Sequence, residues 1–297
     1  MDNYELFKKL YFAKDENEIE VILKKENLWN DPGNWRDIGD NPSNWTIIGG
    51  QQKDPLNALI EKLINVGDSI LLNKCKEIGI DPEDLSKAPI SLSKAVEKFL
   101  SIPGGDLSNI QASEITKLAH STNGMMLSES SNPAHPNFTI FDFGEGQAPE
   151  NFPETFMSLA NSNKIKIPFV QGKHCAGSSG VFRFCNHQLI LSRRNPKIRA
   201  KDESDKFGFT VTRCFPASKN TRNPVAKYLV INGHVPQFSF NGPLKLLCST
   251  DDKYIQKFNR DFSYGSIVKI FNYKIGILPG QKNGQNLAGG AAVTLRK

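Results

Sequence analysis

The stretch ALIEKLINVGDSILL, residues 58–72, decides how the rest of the chain is read. Leu59, Ile60, Leu63, Ile64, Ile70 and Leu71 recur at helical spacing, and Asp54-Pro55 upstream supplies an N-cap and a proline for the first turn. A helix is predicted from Pro55 to near Gly79, where GIDPEDLSKAP carries breaker signals. Its polar interruptions are Glu61, Asn65 and Asp68. At about 100° per residue the three fall within roughly 60° of one another, so two carboxylates and an amide share one face. A carboxylate can orient and deprotonate water, and an amide oxygen is a hard ligand suited to Mg²⁺. Taken alone, the pattern fits an exposed polar stripe equally well.

Two more clusters follow. After Pro136 the runs NFTIFDFGEGQ, GVFRFC, QLILSRR, FGFTVTRCF, KYLVI and SIVKIFNYKI read as strands, with a helix expected at PETFMSLAN. Earlier helices are predicted at residues 4–12 and 16–27, and within SLSKAVEKFL and LSNIQASEITKLAH, the latter leading into a Ser- and Asn-rich loop. Helices early and strands late predict an α+β layered domain, with helices on a mixed or antiparallel sheet. In DFGEGQ, Asp142 ends a strand, and Gly144 and Gly146 let a flat ligand approach while the carboxylate accepts from an exocyclic amine. A plain β-turn is the alternative. In QGKHCAGSSGVF, Gly172, Gly177 and Gly180 with Ser178 and Ser179 can form an anion-binding nest, and Lys164 and Lys173 add charge. A surface loop is the alternative, and the spacing is not that of GxxxxGK[ST].

A carboxylate/amide helix, then Asp-x-Gly-x-Gly at a strand end, then a glycine-rich loop, in this order, resembles the Bergerat-fold ATPases, the GHKL superfamily, over roughly residues 51–274. The resemblance implies a two-layer α/β sandwich of Bergerat type, with helices on one face of a mixed, mostly antiparallel sheet, that binds ATP and Mg²⁺. It implies Glu61 as general base, Asn65 as Mg²⁺ ligand, and Asp68 in the pocket near the adenine. Asp142 would accept from the adenine amino group beside Gly144 and Gly146. Gly172, Gly177 and Gly180 would belong to the ATP lid, with Ser178 and Ser179 as phosphate contacts. YGSIVKIFNY resembles the late strand of these domains, and Ser266 keeps the hydroxyl where threonine is usual. Two departures stand out: Gly67 and Ser69 flank Asp68 where Asp-Ala is usual, and residues 72–138 are longer than expected, which implies a helical insertion at about 80–136. Glu61 is present and no histidine precedes His120, which favours hydrolysis over phosphotransfer to a histidine. The lysine that several branches send to the γ-phosphate is expected in a downstream domain, outside this chain. The nearest likeness is to chaperone-like ATPase modules at the head of large bacterial proteins, some from anti-phage defence loci. The implied activity is slow ATP hydrolysis in a conformational switch read by a homodimer partner or a downstream domain. A non-hydrolysing nucleotide-sensing or dimerisation module is the alternative.

Bulk properties set the frame. The 297 residues carry 37 Lys and Arg against 31 Asp and Glu, spread along the chain, so a polyanion partner is permitted and not indicated. Five cysteines without a CxxC pair point to a reducing compartment, and the charged N-terminus and lack of a long apolar run to a cytoplasmic protein without a membrane span. Residues 1–50 read as an N-terminal helical extension with a loop holding Trp29, Trp35 and Trp45, expected to be ordered rather than a nucleic-acid platform. Residues 51–275 read as the ATP-binding domain, and the Gly-rich residues 276–297 as a linker or the start of a further domain. Zinc at His174, Cys175, Cys185, His187 and Cys214 is disfavoured, because no tight CxxC or HxxxH pair occurs.

Overall fold

The computed structural model describes residues 2–128, 130–132, 134–159, 164–172, 177–217, 222–247 and 260–275. Helices α1 (Asn3–Phe12) and α2 (Glu16–Lys25) come first, α2 capped by the Asp15 side chain, which accepts from Glu18 N. The tryptophan segment then forms strand β1 (Trp35–Asp37) and a short helix α3 (Trp45–Ile48). Helix α4 (Pro55–Glu77) starts as its sequence predicts, with the Asp54 carboxylate accepting from Asn57 N, and stops before Gly79 at φ +73°. Helices α5 (Leu92–Leu100) and α6 (Ala112–Thr122) follow. Strand β2 (Asn123–Ser128) lies where the sequence suggested only a loop, because Met125 and Met126 alternate between the two core faces.

The remaining strands are β3 (Asn137–Asp142), β4 (His187–Arg193), β5 (Phe207–Phe215), β6 (Val225–Leu229), β7 (Gln237–Phe238), β8 (Leu244–Leu247), β9 (Arg260–Phe262) and β10 (Gly265–Ile270). Among the described residues the main sheet runs β1-β6-β5-β4-β10-β3-β2, with β7 also paired to β5 and every pairing antiparallel. GVFRFC is corrected from a strand to a 3₁₀ turn over Gly177–Arg183. PETFMSLAN is not an α-helix either: a 3₁₀ turn over Pro149–Asn151 leads into irregular turns that bury Phe152 and Met157.

Both faces of the sheet are covered, which corrects the expectation of helices on one face. Side chains alternate along each strand. Leu189, Leu191, Phe207, Phe209, Phe141 and Ile267 point to one side, where they bury Leu6, Phe7, Leu10 and Tyr11 of α1 with Ile19 and Leu23 of α2. Phe138, Ile140 and Ile270 point to the other, against Ala58, Leu59, Val66 and Ile70 of α4. The physical reason is in the strands: with apolar residues on both faces, neither side can face water. The first fifty residues are built into this core. Besides α1 and α2, β1 pairs with β6, and Trp29 and Trp35 are buried, with the Arg213 guanidinium 3.5 Å from the Trp29 ring centroid. The buried Lys269 ammonium on β10 donates to Tyr11 O and Ala13 O at 2.7 Å, satisfying carbonyls at the end of α1. On the α4 side, α5 packs with residues 167–170 against Leu71, Leu72 and Cys75.

Candidate functional site

The site grows out of strand register. Asp142 on β3 lies opposite Ser266 on β10, and Ser266 lies opposite Ser192 on β4. Two residues along, Ile140, Val268 and Ile190 form a second row across the same strands. By alternation both rows face α4. The apolar row, with Asp142 and Ser266, lines a cavity of about 480 Å³ between sheet and helix, a size typical of small-ligand sites. Ser192 Oγ donates to Gly265 O at 2.8 Å and lies 3.1 Å from Ser266 Oγ, so the polar row is cross-linked.

Asp142 is only 5% exposed. Its Oδ1 accepts from Gly144 N at 2.9 Å and from Ser69 Oγ at 3.2 Å. Burial pushes the carboxyl up to about 7, against the opposing pull of those two hydrogen bonds. The glycines have structural reasons of their own. A Cβ on Gly144 would lie 2.1 Å from Ser69 Oγ, and one on Gly146, at φ +60°, would lie 1.9 Å from Arg193 O. Glu145 N donates to Ser69 Oγ at 3.2 Å, so Ser69 ties the DFGEGQ loop to α4. At the rim the Glu145 carboxylate pairs with Lys76 and Arg194, and Arg194 also reaches Glu203 at 3.5 Å.

The helix contributes a different face from the one the sequence singled out. Lys62, Asn65, Val66, Ser69 and Lys76 line the cavity. At about 100° per residue, Lys62, Val66, Ser69 and Lys76 span roughly 80°, Asn65 lies at the edge, and Glu61 and Asp68 are turned away from Lys62 by about 100° and 120°. Of the expected trio, therefore, only Asn65 is in the cavity wall. The cause is the packing of Ala58, Leu59, Val66 and Ile70 on the sheet: the polar residues on that same stripe are Lys62 and Ser69. Glu61 is half-buried and outside the wall. Asp68, 2% exposed, does not line the cavity and acts as a strut: it accepts from Gln171 N and Gly172 N at 2.9 Å and from Lys164 Nζ at 3.2 Å.

The glycine-rich segment is anchored from the same helix. A Cβ on Gly172 would lie 2.8 Å from Asn65 Oδ1 and 2.9 Å from Asp68 Oδ2, so only glycine fits there. The turn Gly177–Arg183 packs away from the cavity, with the site of a Gly180 Cβ 3.4 Å from Gln51 Cβ and Arg183 Nη1 donating to Gly49 O at 3.1 Å. Gly172, Ser179 and Gly180 do not line the cavity, whereas Lys164 and Ser266 do. The Ser178 side chain, Lys173, His174 and Cys175 lie outside the described residues. Among those described, no group of three or more His, Cys, Asp and Glu could hold a metal ion. Burial pushes the Cys185 thiol well up and Cys214 up to about 12, which leaves both protonated. No helix among the described residues is long and apolar enough to cross a membrane.

Lys62, Ser69, Lys76, Glu145 and Arg194 were missed from the sequence. A helical wheel centred on Val66 would have found the first two, whereas the rim pairs join residues too distant in sequence to show a pattern. No known family model matches the chain, and no curated protein is found to be related to it. The site is therefore read from its own residues.

Proposed function

We propose that this domain binds an adenine nucleotide with Mg²⁺ in the cavity between α4 and the sheet, and hydrolyses ATP slowly as a conformational switch of the GHKL type. The observation that carries the reading is the pairing of the two rows. Ile140, Val268 and Ile190 offer an apolar bed for a flat ring, and beside them Asp142 and Ser266 offer an acceptor and a hydroxyl for its edge. Among the described residues Asp142 makes no ion pair, and an exocyclic amine donating to it would offset the cost of burying its charge. Asn65 supplies one hard oxygen on the opposite wall, which fits Mg²⁺, an ion that commonly takes one or two protein ligands and completes its shell with phosphate and water. The metal would supply charge neutralisation at the phosphates. Asp68 would hold the start of the glycine-rich loop, Gln171 and Gly172, in register with the helix that carries Asn65. A partner domain or a second copy would read the state of that loop.

Titration calorimetry with ADP and with a non-hydrolysable ATP analogue, with and without Mg²⁺, tests the binding. Absence of binding under all these conditions would remove the reading. The position of Glu61 outside the cavity wall favours a second reading, a nucleotide sensor without hydrolysis. Phosphate release separates the two. If Glu61 is the general base, Glu61→Ala loses turnover by about 100-fold or more while keeping nucleotide affinity. Undiminished turnover in that variant removes Glu61 from the reaction, and no turnover in either protein leaves the sensor.

A further inference from the structure

The charged groups of the cavity do not balance pair by pair. Lys76 and Arg194 are taken up by Glu145 and Glu203, and Lys164 by Asp68. Glu154 is exposed at the edge. Among the described residues two groups are left without an ion pair, on different elements: the Asp142 carboxyl on β3 and the Lys62 ammonium on α4. Lys62 makes no hydrogen bond or ion pair with any described residue, and the titratable group that bears on it is the protonated thiol of Cys185. Desolvation pushes its ammonium down to about 8. A long, flexible lysine on an exposed helix face would swing into water. Lys62 sits instead on the stripe of α4 that packs on the sheet, one turn before Val66 and beside Asn65.

An uncompensated ammonium in a ligand-sized cavity is unfavourable in the empty protein and favourable as soon as an anion enters. We propose that Lys62 is the anion contact of the cavity and holds a phosphate group of the ligand beside the Asn65 amide. The ligand is then bipolar, with a hydrogen-bond donor on a flat ring at Asp142 and negative charge at Lys62. The inference rests on the nucleotide reading for the identity of the ring and is independent of it for the anion. It also gives the phosphates a cation from α4 itself, whereas Ser179 does not line the cavity.

The test is calorimetric titration of the full chain and of its Lys62→Met and Lys62→Arg variants with ADP, adenosine and inorganic tripolyphosphate. Lys62→Met should weaken ADP and tripolyphosphate by about tenfold or more, as expected for a charge-assisted hydrogen bond, and leave adenosine unchanged. Lys62→Arg should retain most of the affinity for both anions. The Met variant should melt at or above the wild-type temperature, because it removes a half-buried charge that has no ion pair among the described residues. Equal affinity of Lys62→Met and wild type for ADP would overturn the role of Lys62 and leave the nucleotide reading standing. Lys62-dependent binding of tripolyphosphate without any gain from the nucleoside would do the reverse. Equal weakening of adenosine and ADP would also overturn the proposal, since the lysine would then shape the cavity rather than hold an anion. Failure of the wild type to bind any of the three would remove both.

Discussion

Replacing Asp142 by asparagine should make the protein more stable at alkaline pH while weakening the binding of adenosine. The wild-type carboxyl is raised from 3.8 to about 7 because it is buried in the cavity floor. Below about pH 4 it is protonated in the folded and the unfolded chain and contributes nothing to pH dependence. Between about pH 4 and pH 7 the unfolded chain has released the proton and the folded one has not, so stability falls as pH rises. Above pH 7 the penalty is complete. A difference of about 3 pKa units corresponds to about 4 kcal/mol at most, and relaxation of the ionised site will reduce it. Asparagine keeps an oxygen to accept from Gly144 N and Ser69 Oγ and never ionises. Thermal melts of the two proteins should nearly coincide at about pH 3.5 and separate by several degrees at about pH 8.5, the variant being higher, at about 2–4 °C per kcal/mol for a chain of this size. In parallel, adenosine affinity at pH 8 should fall by about tenfold or more, because the amide cannot offer the charged acceptor. A difference in melting temperature that does not change with pH would refute the assignment of a raised Asp142 pKa. Unchanged adenosine affinity would take the residue out of the ligand site.

Three further substitutions test the architecture. Gly67 sits in the middle of α4, exposed, with nothing within 4 Å of an added Cβ, so Gly67→Ala should raise stability by about 1 kcal/mol in urea titration. Asp68→Ala leaves Gln171 N and Gly172 N without their acceptor and Lys164 without its carboxylate; it should cost about 3 kcal/mol and make the segment near residue 172 the first site of limited proteolysis. Phe7→Ala empties a fully buried site whose ring lies 5.5 Å from Phe209 and 5.3 Å from Phe238, and should cost about 3–5 kcal/mol; a near-neutral effect would mean that α1 is a detachable extension.

Local signals along the chain specify most of the elements. Asp54-Pro55 and Gly79 bounded α4 because a cap, a proline and a positive-φ glycine act within one turn. β3, β4, β5, β6 and β10 were legible as short β-branched and aromatic runs, and the antiparallel, mixed α/β character followed from their order. Asp142, Asn65 and Lys164 stand out by residue type and order and Ser266 by the resemblance of its strand, and the fold gathers all four around one cavity. GVFRFC and PETFMSLAN were misread because their apolar residues plug the core from irregular turns, where no period marks them.

Which face of α4 meets the cavity was decided only by tertiary packing. A helical wheel gives relative directions with no zero point. The zero was set when Ala58, Leu59, Val66 and Ile70 settled on Phe138, Ile140 and Ile270, which brought Lys62 and Ser69 inward and turned Glu61 and Asp68 to the shoulder. The same holds for the α1 and α2 layer, whose place on the second sheet face depends on contacts such as Phe7 with Phe209, about two hundred residues apart in sequence. Capping and periodicity are properties of neighbours along the chain, and so the sequence carries them openly. The roll of a helix and the choice of sheet face depend on burying apolar area against distant strands, which no local pattern encodes.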